Sequence, residues 1–66
     1  MLNERQQQIL NIMENTGEIQ LQQLKEMFPD VSTMTLRRDL INLENEGYLI
    51  RTYGGAVSVK KVGVTQ

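Results

Sequence analysis

The side chains best suited to specific chemistry fall in two short stretches, Ser32-Thr33-Met34-Thr35-Leu36-Arg37-Arg38 and Arg51-Thr52-Tyr53-Gly54-Gly55. An arginine presents its N–H donors as a planar fork. That fork pairs in bidentate fashion with O6 and N7 of guanine. The hydroxyls of Thr33 and Thr35 can bond phosphate oxygens or base edges, and the thioether of Met34 can lie against a thymine methyl. Glycines such as Gly54 and Gly55 let a backbone come close to a phosphate chain. These residue types suit the grasp of a nucleic acid better than the breaking of a bond.

Composition narrows the choice further. The chain has 66 residues, 39% of them hydrophobic. A chain of this size buries only ~60% of its unfolded surface when it folds, and an enclosed ligand pocket typically needs ~300 Å³ or more. One small domain with a modest core is therefore expected. Cysteine and histidine are both absent. Their absence removes disulfides, thiolate and imidazole metal sites, and the usual nucleophile–base pairs. The acidic residues are scattered, and nothing motivates a catalytic carboxylate pair. Neither an enzyme nor a cofactor is expected. No apolar run approaches the ~18 residues of a membrane helix. The opening Met1-Leu2-Asn3-Glu4-Arg5 lacks the apolar stretch of a signal peptide, so a cytoplasmic setting without membrane contact is expected.

The formal net charge is −1 and the pI about 5.2, which taken alone argues mildly against a nucleic-acid binder. The distribution reverses that judgement. Up to Asp30 there are two basic and five acidic side chains, a net −3; from Val31 onward there are five basic and three acidic, a net +2. Attraction to phosphate follows the local potential rather than the total.

The elements that would hold the two stretches follow from periodicity. Ile9, Ile12 and Met13 mark a first helix, with Asn3 as N-cap, Gln6 as its capping-box partner and Gly17 at its end. Glu18 to Leu21 alternates and predicts a short strand. Leu21, Leu24, Met27 and Phe28 predict a second helix, which Pro29 stops. Its N-cap is weak, since Gln20 stands where serine or aspartate would serve better. Ser32 caps a third helix whose Leu36, Leu40 and Leu43 form one stripe, with Gly47 as the stop. Tyr48–Tyr53 and Ala56–Val59 are rich in β-formers. Gly54-Gly55 between them fits a two-residue turn in which both positions take positive φ. Ile9, Leu24, Leu36, Leu40, Leu43 and Leu49 are the expected core. The fold class is α+β: a small winged helix-turn-helix of three helices, a short strand and a C-terminal hairpin wing. The domain covers 1–59, and 60–66 begins a linker.

In this order the third helix is placed to enter a major groove, with Thr33, Met34, Arg37 and Arg38 turned away from the leucine stripe. The helix start at Ser32 favours phosphate, and Arg51, Tyr53, Gly54 and Gly55 make a small basic ribbon. Plainer readings stand beside these. Arg37 and Arg38 could form a solvated face paired with Asp39 or Glu44. Gly54-Gly55 could be only a turn, and Tyr53 could pack on the core. A winged helix can also bind protein rather than DNA.

Three stretches carry a family resemblance: ERQQQIL at Glu4–Leu10, VSTMTLRRDLINLENEG at Val31–Gly47 and LIRTYGGAV at Leu49–Val57. With them the chain resembles the N-terminal domain of the DeoR family of bacterial repressors, over nearly its whole length. The resemblance implies a repressor of catabolic or sugar operons that binds a double-stranded operator and forms a homo-oligomer. It also implies a separate C-terminal domain, absent here, that senses a sugar phosphate or related metabolite. By position it places Ser32, Thr33, Thr35, Arg37 and Arg38 on a recognition helix and Arg51, Gly54 and Gly55 in a wing. One departure is the turn Phe28-Pro29-Asp30-Val31, a residue longer than the family's usual turn, which would tilt the recognition helix or bulge outward.

Overall fold

The computed structural model describes residues 2–59. The stretch read as a linker, 60–66, lies outside them. The order is α1 (Glu4–Thr16), β1 (Glu18–Gln20), α2 (Leu21–Met27), α3 (Thr33–Asn45), β2 (Leu49–Thr52) and β3 (Gly55–Ser58). This is the α+β winged helix-turn-helix expected from the pattern.

Each helix starts and stops for a local reason. At α1 the Asn3 side chain accepts the Gln6 amide at 2.7 Å while the Gln6 side chain accepts the Asn3 amide at 3.3 Å. Together they satisfy two of the amides that a helix start leaves unpaired. Gly17 closes α1 at φ 86°, its amide bonded to the Met13 carbonyl. Gln20 contributes no side-chain cap to α2. Help comes instead from Gln23, whose side chain accepts the Gln20 amide at 2.9 Å, and from the Gly54 carbonyl, which accepts the Leu21 amide at 2.8 Å. At the end of α3, Gly47 sits at φ 89°. There Gly47 N–H reaches the Glu44 carbonyl and Tyr48 N–H the Leu43 carbonyl, each at 3.0 Å. This is the paired hydrogen-bond pattern of a Schellman stop, which needs the left-handed conformation glycine adopts freely.

The core is one cluster. Ile9 and Met13 from α1, Ile19 from β1, Leu24 from α2, Leu36, Leu40 and Leu43 from α3, Leu49 from β2 and Ala56 from β3 are all buried. Every expected core residue is among them. The turn between α2 and α3 closes through Val31 N–H donating to the Phe28 carbonyl at 3.0 Å, and Lys25 Nζ donates to the Val31 carbonyl at the same distance.

The sheet departs from the expectation in two ways. The short strand is not merely a lead into α2: β1 pairs antiparallel with β3, so the order is β1-β3-β2 and the wing is anchored to the body. The hairpin turn is also shifted. Thr52 pairs with Gly55, so Tyr53 and Gly54 form the turn and Gly55 is already in β3. Neither Gly54 nor Gly55 has a positive φ. Gly55 is needed for a different reason. A Cβ there would lie 2.0 Å from the Ile19 carbonyl oxygen and 2.8 Å from Gln20 Cα, a backbone collision that no side chain can relieve by turning. At Gly54 the nearest atom would be a flexible Gln20 side-chain oxygen at 3.8 Å, so that site has room.

Candidate nucleic-acid interface

The first turn of α3 is built by its own hydroxyls. Ser32 Oγ accepts the Thr35 amide at 3.1 Å and donates to Thr35 Oγ1 at 3.0 Å. Both groups thus organise the helix start before they contact anything outside, and they leave the amides of Thr33 and Met34 facing outward from the N-terminus. The side chains of Thr33 and Met34 are exposed, Met34 at 67%. With Leu36, Leu40 and Leu43 buried, the 3.6-residue period turns Arg37 and Arg38 to the outside.

The neighbouring carboxylates are already taken. Asp39 is buried and is held by Arg5 Nε, by Arg5 Nη2 at 3.2 Å and by Gln6 Nε2 at 3.1 Å. The Asp39 hydrogen bond raises the pKa of Arg5 above its ordinary value; burial works against that rise, and the Asp39 charge adds to it. Glu44 accepts from Arg51 twice, from Nε at 2.8 Å and from the main-chain N–H at 3.1 Å. The side-chain bond first and the main-chain bond second hold the Glu44 carboxyl below its ordinary pKa. The plain reading that Arg37 or Arg38 pairs with Asp39 or Glu44 is therefore corrected. Among the described residues neither arginine forms a salt bridge.

One open groove runs between α3 and the hairpin. Arg37, Arg51, Tyr53, Gly54 and Gly55 line it, with Leu21 and Leu40. Five of the ten residues singled out from sequence therefore meet around one surface. Ser32, Thr33, Met34, Thr35 and Arg38 lie outside that groove, at the start and along the exposed side of α3. Tyr53 is fully exposed at the hairpin tip, at 109% of its reference area, so it does not pack on the core.

Arg51 reaches the groove by strand register. Ile19, Ala56 and Arg51 form one cross-strand row, and Ile19 and Ala56 are buried. Arg51 therefore leaves the sheet on the core side, toward α3, where Glu44 meets it.

Arg5 matters to this geometry and was not singled out from sequence; Gln6 was read only as a capping-box partner, and Asp39 and Glu44 only as possible partners of Arg37 or Arg38. A signal existed for Asp39: it stands three residues after Leu36 and four before Leu43, a charge within the arc of the apolar stripe. Such a charge needs a partner. That the partner is Arg5 depends on the packing of α1 across α3. Among the described residues no group of three or more acidic side chains is placed to hold a metal ion, and no helix is long and apolar enough to cross a membrane.

Comparison with known proteins converges on one family. The model of the DeoR-like helix-turn-helix domain matches residues 5–62. A lactose phosphotransferase system repressor from Staphylococcus aureus is 43% identical over 56 residues, which cover 85% of this chain and 22% of the relative. A putative aga operon transcriptional repressor from Escherichia coli O157:H7 is 40% identical over 55 residues, 83% of this chain and 20% of the relative. An L-fucose operon activator from Haemophilus influenzae is 42% identical over 59 residues, 89% of this chain and 23% of the relative. The chain thus spans under a quarter of the length of these curated relatives. No solved structure matches it.

Proposed function

The chain belongs to the DeoR-like helix-turn-helix family of DNA-binding transcriptional regulators, and from that premise we propose that it reads a specific double-stranded operator with α3 in the major groove and the β2–β3 hairpin on the flanking backbone or minor groove. The observation that carries the proposal is the pair of exposed arginines on α3, Arg37 and Arg38, without acidic partners among the described residues while Arg5 and Arg51 occupy the adjacent carboxylates. An exposed guanidinium fork is free to meet a guanine edge or a phosphate. Arg37 is assigned to base readout because it faces the groove shared with the wing; Arg38 contacts a base or a phosphate. Thr33 and Met34 approach the bases near the start of α3, where the outward amides favour a phosphate. Tyr53, Gly54 and Gly55 bring the hairpin tip to the flanking strand.

The regulated genes are proposed to be a catabolic or sugar operon, by likeness to the lactose phosphotransferase repressor and the L-fucose activator. Repression is the proposed outcome, by likeness to the two relatives named as repressors, beside one named as an activator. We assign 1–59 to the DNA-binding domain and 60–66 to the start of a linker toward a C-terminal domain that binds a sugar phosphate and forms homo-oligomers. Oligomerisation joins two half-sites and raises an affinity that a single domain supplies only weakly.

The test is a fluorescence-anisotropy titration of the chain with duplex DNA across a salt series, beside an Arg37→Ala/Arg38→Ala variant. Binding that weakens steeply with salt and collapses in the variant is the expected result. A folded chain that binds no duplex at low salt overturns the proposal in favour of a protein-binding winged helix.

A further inference from the structure

We propose that Glu44 is a positioning and specificity residue: by bracketing Arg51 between α3 and the wing, it withholds that arginine's charge from arbitrary phosphates and presents its guanidinium in one orientation to the groove shared with Arg37. The proposal rests on the operator reading above and adds a residue that touches no DNA itself.

Three features of the structure carry it. Glu44 uses both carboxylate oxygens on Arg51, one on Nε at 2.8 Å and one on the main-chain N–H at 3.1 Å. A side chain held at Nε and at its own backbone has lost most of its torsional freedom, while its two terminal nitrogens are spared for an outside acceptor. The pair is also accessible. The Arg51 side chain is 47% exposed and that of Glu44 33%, so an incoming phosphate can approach the arginine without opening the core. Finally, Arg51 lines the same groove as Arg37, Tyr53 and Gly54, so the bracket fixes one arginine relative to another that has no acidic partner among the described residues.

The physical consequence is a division between the two cations. Arg37, with no acidic partner among the described residues, attracts any nucleic acid through its charge. Arg51 and Glu44 together are near neutral, so Arg51 adds little attraction at a distance and contributes only where an acceptor meets its fixed terminal nitrogens. Ordering the side chain in advance lowers the entropy lost on binding a matching site. Pairing its charge in advance lowers affinity for all others, and specificity is the difference between the two.

The test compares Glu44→Gln with Glu14→Gln, which makes the same change in net charge on an exposed α1 residue that does not line this groove. Glutamine keeps the size of Glu44 and one acceptor oxygen, and circular dichroism verifies that both variants fold. The probes are a duplex selected by the wild-type chain from a randomised library and a scrambled duplex of equal length. Glu44→Gln is expected to bind the scrambled duplex roughly three- to tenfold more tightly, and its log K against log salt slope steepens by ~0.9 as one more arginine displaces counterions. The ratio of selected to scrambled affinity falls, and Glu14→Gln matches wild type in both readouts. In an Arg51→Ala background the Glu44→Gln effect disappears. If wild type binds and Glu44→Gln equals Glu14→Gln, or if its effect persists without Arg51, this proposal is overturned alone. If the folded wild-type chain binds neither duplex, the operator reading falls and this proposal with it.

Discussion

Two ion pairs flank α3, and they differ in depth. Arg5–Asp39 ties the helix to α1 with a carboxylate whose side chain is only 5% exposed, backed by Gln6. Arg51–Glu44 ties it to the wing at a rim where both partners meet solvent. A buried carboxylate left without its partners is costly, because it has lost its water as well. An exposed pair exchanges easily with water and salt, and its worth to stability is small. The inner pair therefore sets where α3 lies, and the outer pair can respond to a ligand.

The largest expected effect breaks the inner pair. Asp39→Ala strands Arg5 and Gln6 and should cost about 3 kcal/mol of folding stability, toward the lower end for a buried pair because the 28%-exposed side chain of Arg5 can rehydrate. Urea denaturation reads this directly; a loss below about 1 kcal/mol would place the pair in the class of surface contacts. Next is the seam that anchors the wing. Gly55→Ala forces a Cβ against β1 and should cost about 1–3 kcal/mol, a strain of the overpacking kind. Gly54→Ala, with its nearest atom 3.8 Å away, should leave the urea midpoint nearly unchanged. Equal effects at the two glycines would remove the distinction between a close approach and a mere turn.

On the outer flank the expected effect shifts from stability to binding. Arg37→Ala should leave the melting temperature near that of wild type and cost ~1–3 kcal/mol of operator affinity, with preference relaxed at one base position. Equal losses on every sequence would make Arg37 a phosphate contact. The smallest effect concerns acid. The folded-state pKa of Glu44 lies below its ordinary 4.5, so its contribution to stability is complete above that ordinary value and is lost as the pH falls through the depressed one. Wild type and Glu44→Gln should therefore differ slightly in stability at neutral pH and converge in acid. A difference that grows as the pH falls would contradict the pairing.

Much of this architecture was legible in the residue pattern, because local signals carry it. Asn3 with Gln6, Ser32, Gly17 and Gly47 mark helix ends through hydrogen bonds spanning three or four residues, and the leucine stripe of α3 names its own buried face. Contacts between distant segments were not legible. Periodicity says nothing about which strand lies beside which, so the pairing of β1 with β3 was missed, and with it the reason for Gly55. The same limit hid Arg5 as the partner of Asp39 and Glu44 as the partner of Arg51. For the candidate site, residues facing outward declare themselves by type, whereas those acting through another residue need the geometry.

The strand order has a consequence for synthesis. β3 comes last along the chain but lies at the centre of the sheet, and β1 and β2 touch it from either side without touching one another. While only the first 54 residues have emerged from a ribosome, two strands wait with their inner edges bare and α2 lacks the seam that docks the hairpin carbonyl at its start. Completion of the sheet is thus delayed until β3, the last of its three strands along the chain, has been made. The groove lined by Arg37, Arg51 and Gly55 therefore closes only once β3 has been made.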